Sequence, residues 1–175
     1  YTQEDLSALL LPFGSVALAE LRELVVQRRN QTLHPQMNAC ITEVFQYMED
    51  YQTHQSMDII FDNHYWQHMH QISKGETRGE IDIMVKRNID IFNISTILRS
   101  HLVGRHKGFI SAVLAEGGRL PVNELLEAIS ESLDAFVDYL RATPYKKLIE
   151  ISYEEIMTEK TLNSFDLRKD NFLMG

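Results

Sequence analysis

Apolar residues along this chain recur at steps of three and four, and no useful stretch alternates with period two. That spacing marks amphipathic helices, so the predicted fold class is all-α, an array of repeated helical units with about nine or ten short to medium helices. The densest pattern lies at 81–118. Ile81, Val85, Ile89 and Phe92 form one stripe, and Ile91, Ile94, Leu98 and Leu102 form a second beside it. A helix apolar on two faces must be covered on two sides, so other helices should pack around this one. The stretch reads as one long helix, a short basic turn at 99–107, and a second helix stopped by Gly117 and Gly118. Asp90, Asn93, Thr96 and Arg99 are polar residues set into the apolar helix. Asp90, Asn93 and Arg99 are expected to be structural ties between neighbouring helices, and Lys86 is spaced to pair with Asp90 along the helix.

The remaining pattern reads in order. Residues 4–11 form a short helix halted by Pro12 and Gly14, and Ser15 is placed to cap a helix carrying Leu18, Leu21, Leu24 and Val25. That helix ends in the basic run Gln27-Arg28-Arg29-Asn30, which complements the helix dipole. A helix at 37–53 buries Ile41, Val44, Phe45 and Met48. Asp58 is placed to cap an aromatic-rich helix at 59–73, and residues 74–77 break it. Pro121 opens a helix at 122–128, and Ser130 or Ser132 caps another at 133–141. After the break at Thr143-Pro144 the pattern gives short helices at 145–149 and 152–159 and a last one from Asn163.

A weak internal repeat runs through this order. ITEVFQYMEDY at 41–51 resembles ISESLDAFVDY at 129–139, with coincidences at Ile41/Ile129, Glu43/Glu131, Asp50/Asp138 and Tyr51/Tyr139. At the same offset Tyr65 meets Tyr153 and Met69 meets Met157. The predicted organisation is therefore lead-in helices at 1–36, a helical unit at 37–120 containing the central helix, and a second, truncated unit at 121–175.

Composition narrows the function. A chain that is 44% hydrophobic and 24% charged has material for a globular core. A net charge of −8 disfavours a general nucleic-acid binder, which needs a basic surface. Cys40, the single cysteine, sits on an apolar face and reads as a buried, inert thiol. No apolar run approaches the roughly 20 residues that span a bilayer. His64, His68 and His70 cluster on one helix, and the first two are spaced to face one ion. No Glu-x-x-His pair or HExxH motif accompanies them, which favours surface histidines beside Tyr65 and Trp66. There is no Walker A sequence, no GxGxxG and no evident nucleophile–base pair. The basic turn has the character of a solvated loop, with an acidic partner or lipid head groups as the alternative.

Several segments, taken in order, resemble the C-subunit family of V-type ATP synthases, which is related to the d subunit of eukaryotic V-ATPases. They are FDNHYWQHM at 61–69, VKRNIDIFNISTILRSHLVG at 85–104, GFISAVLAEGG at 108–118, LRATPYKKLI at 140–149 and DNFLM at 170–174. The resemblance implies a funnel-shaped, all-helical protein of three similar units. It also implies a non-catalytic role without cofactor or direct ATP binding: a socket between the central rotor stalk and the membrane rotor ring that transmits torque during ion transport. The implied location is peripheral, on the cytoplasmic face of the membrane, as part of the ATPase complex. Ion choice, proton or sodium, would lie in the ring. The family's chains are longer, and this one begins without Met and ends just after an apolar cluster, so it is expected to be a middle portion. The competing readings are a soluble helical adaptor that binds another partner, and a metal-dependent helical enzyme built on His64 and His68.

Overall fold

A computed structural model describes residues 16–28, 33–51, 57–74 and 79–174. Among them are nine α-helices and no strand, which gives the all-α class. These are α1 (Leu18–Gln27), α2 (Pro35–Tyr51), α3 (Met57–Ser73), α4 (Glu80–Leu102), α5 (Lys107–Val113), α6 (Val122–Glu131), α7 (Leu133–Arg141), α8 (Lys146–Thr158) and α9 (Asn163–Met174). The predicted helix at 4–11, the Ser15 cap and most of the break after Lys74 lie outside the described residues.

Packing divides the chain into two compact units, Tyr1–His64 and Tyr65–Gly175. The boundaries read from the repeat, after residues 36 and 120, follow a different principle and remain a proposal. In the first unit Leu24, Leu33 and Ile41 form one apolar cluster, with Val16 and Phe45 against it. Cys40, Val44 and Ile60 form a second, with Tyr47, Met48 and Met57. Burial, helped by Glu43, pushes the Cys40 thiol up to about 11, so it is a neutral packing group at neutral pH. Arg28 takes the left-handed C-cap of α1, pairs with Glu49 and lies 4.7 Å over the ring of Phe45.

The second unit is built on α4. Residues 89–98 of this helix are buried on every side except at Phe92, which is half-buried. Val85 and Ile89 close on Ala115, with Trp66, Met69 and Phe92 packed against them. The two-sided covering expected from the pattern therefore applies to the middle of the helix. It does not reach the first turn, where Ile81, Ile83 and Met84 are exposed. α5 and α9 pack on α4, α6 on α5 and α7, and α8 on α7 and α9.

Local chemistry explains most boundaries. Ser132 is extended (φ −170°, ψ 167°), and its hydroxyl accepts from Ala135 N at 2.9 Å, so it ends α6 and caps α7. Pro121 stands just before α6, and the imidazole of His106 accepts from Phe109 N at 3.1 Å to cap α5. Asp58 lies within the first turn of α3 rather than at its cap. One helix, α8, replaces the two predicted at 145–149 and 152–159. Ser152, where the second was expected to begin, instead turns its hydroxyl back to Leu148 O at 3.0 Å inside the continuous helix. At the repeat offset, the residues of α3 align in sequence with those of α8, and the unbroken α2 aligns with the pair α6–α7 split at Ser132.

Candidate functional site

The segment between α5 and α6 is where Asp90 and Asn93 of α4 converge. α5 ends at Val113, Leu114 is extended (φ −77°, ψ 142°), and helix resumes only at Val122. Backbone outside a helix keeps N–H and C=O groups that must find partners once buried. Ala115 is fully buried, and Asn93 answers both of its groups. Asn93 Nδ2 donates to Ala115 O at 2.8 Å and Asn93 Oδ1 accepts from Ala115 N at 2.9 Å. One turn earlier on the same face, Asp90 Oδ1 accepts from Leu120 N at 3.0 Å and Oδ2 accepts from the Tyr145 hydroxyl at 2.6 Å. Neither Asp90 nor Asn93 has exposed surface.

The two glycines of the bend permit this close approach. A Cβ on Gly118 would lie 2.2 Å from Asp90 Oδ1, and one on Gly117 (φ +100°) would lie 2.3 Å from the His70 ring. Expected as the stop of the second helix, Gly117 and Gly118 instead sit beyond its end at Val113. The helix gives way where Asn93 captures Ala115, and the glycines let α4 and α3 side chains reach the bend.

Burial pushes the Asp90 carboxyl above the usual carboxylate range, against hydrogen bonds from Tyr145 and Leu120 and the charge of Arg119. Burial, then the bond to Asp90, pushes the Tyr145 hydroxyl upward, so it keeps its proton and donates. The expected Lys86–Asp90 pair does not form. Lys86 Nζ meets Asp82 at 2.7 Å on the outer side, while Asp90 points inward. Nothing in the sequence pattern singles out Tyr145 as a partner. It lies 55 residues from Asp90, at the α7–α8 junction, and its ring stands 5.4 Å from that of Phe172 on α9.

Arg99 occupies a different environment. Its side chain is 53% exposed, and Nη2 donates to Asp166 Oδ1 at 2.8 Å, which Lys169 Nζ also reaches at 3.0 Å. This joins α4 to α9 at the surface. Burial opposes ionisation of Asp166, but Lys169 and Arg99 outweigh it and hold its pKa below the usual range. Nearby, Glu155 receives Thr161 Oγ1 at 2.6 Å and Ser164 N at 3.0 Å, tying α8 to the first turn of α9.

The histidines are dispersed in role. His64 Nε2 lies 2.7 Å from Glu43 Oε2 on α2, and His70 packs on Gly117. Among the described residues no group of three His, Cys, Asp or Glu is arranged to hold a metal ion. In the basic turn, Arg105 lies over Phe109 and Lys107 Nζ donates to Ser130 O at 2.9 Å. No helix among the described residues is long and apolar enough to cross a membrane. At the α4 clamp, all four polar side-chain atoms of Asp90 and Asn93 are engaged by protein groups. Such an arrangement fixes the position of backbone; it presents nothing to a substrate.

Comparison with known proteins gives this helical unit relatives. The family model described as ATP synthase (C/AC39) subunit matches residues 1–175. The C subunit of the V-type sodium ATPase of Enterococcus hirae is 26% identical over 175 residues, covering 98% of this chain and 52% of that protein. The chain thus spans about half the length of this relative. No solved structure matches significantly. With the family model matched from the first residue to the last, the chain belongs to the ATP synthase (C/AC39) subunit family, that of the V-type C subunits.

Proposed function

We propose that this chain is part of a non-catalytic central-rotor component of a V-type ion-translocating ATPase. It serves as a socket that links the central stalk to the membrane rotor ring and transmits torque between them. The observation that carries this reading is the family match along all 175 residues. The clamp on α4 supports it physically. A part that passes torque must not shear internally, and close-packed helices cross-linked by satisfied buried polar groups resist shear. On this reading the protein works at the cytoplasmic face as a peripheral component, and it binds no ATP itself. Its partners are the stalk proteins and the ring.

The test is recovery from native membranes. A tagged full-length protein is expected to bring down stalk and ring proteins in constant proportion after mild detergent extraction. Recovery of the tagged protein alone, from membranes in which the ATPase is intact, would overturn the proposal.

A further inference from the structure

His70 closes on the glycine bend from α3. The ring stands so near Gly117 that an ideal Cβ there would lie 2.3 Å from its Cδ2 and 2.6 Å from its Nε2. The other ring nitrogen, Nδ1, is shielded from solvent and has no hydrogen-bond partner among the described residues. In the neutral ring, Nδ1 can be a bare lone pair with the proton on Nε2. In the imidazolium it must carry an N–H, and a buried donor without an acceptor is costly. The charged surroundings act in the same direction. Lys74 follows on from α3, and the charges of Lys86 and Asp82 act on the ring from α4. Asp82 already accepts from Lys86 at 2.7 Å and from Ser73 Oγ at 3.3 Å. A proton on His70 therefore sets three cations around one carboxylate that is already engaged.

We propose that His70 is a pH-sensitive stopper on the bend: the neutral ring seats against Gly117, and protonation unseats it and loosens residues 115–120. Burial, then Lys74, hold the imidazole below its ordinary value, in agreement with this geometry. The sign follows from linkage. With the folded value lowered, the seated state is fully favoured above the ordinary imidazole value of about 6.5 and weakens as pH falls from there toward the folded value. Asp90, also bound to the bend and facing Arg119, is shifted upward, so its protonation favours the folded state as pH falls. Loosening in mild acid thus cannot come from Asp90.

The test is an NMR titration of the full-length protein with amide exchange at each pH, expressed as protection so that the chemical pH dependence of exchange is divided out. His70 is expected to titrate below about 6.5, and the Gly117 amide should shift with the same midpoint. Protection of the Ala115 and Leu120 amides should fall by up to about tenfold per pH unit within that window. In His70→Gln, which cannot titrate, protection should stay level. A midpoint at or above the ordinary value, a Gly117 signal that ignores it, or an equal loss of protection in His70→Gln would each overturn the proposal. If that variant does not fold, the wild-type titration alone decides.

Discussion

Asp90 and Asn93 leave α4 on its buried face, and Arg99 leaves the same helix where it meets solvent. Both sets of side chains tie α4 to a distant segment, the bend at 114–120 in one case and α9 in the other. The bonds have similar lengths, from 2.6 to 3.0 Å. What separates them is the state left behind when a partner is removed. A backbone group orphaned in the core has no water to turn to, whereas Asp166 without Arg99 keeps Lys169 and solvent. Burial, more than bond geometry, sets the weight of a tie.

The comparison can be broken most easily at Asn93. Asn93→Leu orphans both polar groups of Ala115 and is expected to lower unfolding free energy by about 2–5 kcal/mol, read by denaturant titration. Asp90→Ala, which strands Leu120 N and the Tyr145 hydroxyl, should cost about 2–4 kcal/mol. Asp90→Asn keeps the shape and one acceptor oxygen, but its amide nitrogen can meet the second partner only by donating, so it should cost less than Asp90→Ala, at about 1 kcal/mol. Gly118→Ala forces a Cβ toward Asp90 Oδ1 and should cost about 1–3 kcal/mol through overpacking. Arg99→Leu sits at the bottom of the scale, at about 1 kcal/mol or less, shrinking further in high salt. A loss at Arg99 equal to that at Asn93 would erase the distinction.

The two carboxylates give a finer contrast in pH. The folded value of Asp90 is raised, so its ionised form is disfavoured by folding and its contribution improves as pH falls through the folded value toward the unfolded value of about 3.9. The folded value of Asp166 is lowered, so its contribution is present above about 3.9 and is lost as pH falls through the folded value. The stability of wild type relative to Asp90→Asn should therefore rise on acidification, while that relative to Asp166→Asn should fall. Thermal melts of the three proteins between neutral pH and about pH 3 check both slopes.

Much of the fold is legible in the sequence because local signals agree. Ser132 ahead of Leu133, Phe136, Val137 and Leu140 supplies a cap and an apolar face together, and α7 spans 133–141 as expected. Mismatches arise where a residue has two local uses. Ser152 reads as the start of a new helix, yet its hydroxyl serves inside one continuous helix, whose Leu148, Ile149 and Ile156 are buried on either side of it. Gly117-Gly118 reads as a helix stop, yet α5 is already over at Val113, because Asn93, 22 residues upstream, holds Ala115. Asp90 is visible as a polar residue in an apolar stripe. Its donors, Leu120 and Tyr145, lie 30 and 55 residues away, and no periodicity points to them. Arg99 is recognisable as a tie, but its exposure follows from where α9 ends up, which is a tertiary fact.

If the chain acts as a mechanical link in a rotary ATPase, coupling is the quantity that tests it. In membranes lacking the full-length protein, ATP hydrolysis by the catalytic head should continue while ATP-driven ion uptake disappears, and restoring the protein should restore uptake. Ion uptake that proceeds unchanged in its absence, with the rest of the complex assembled, would contradict that role.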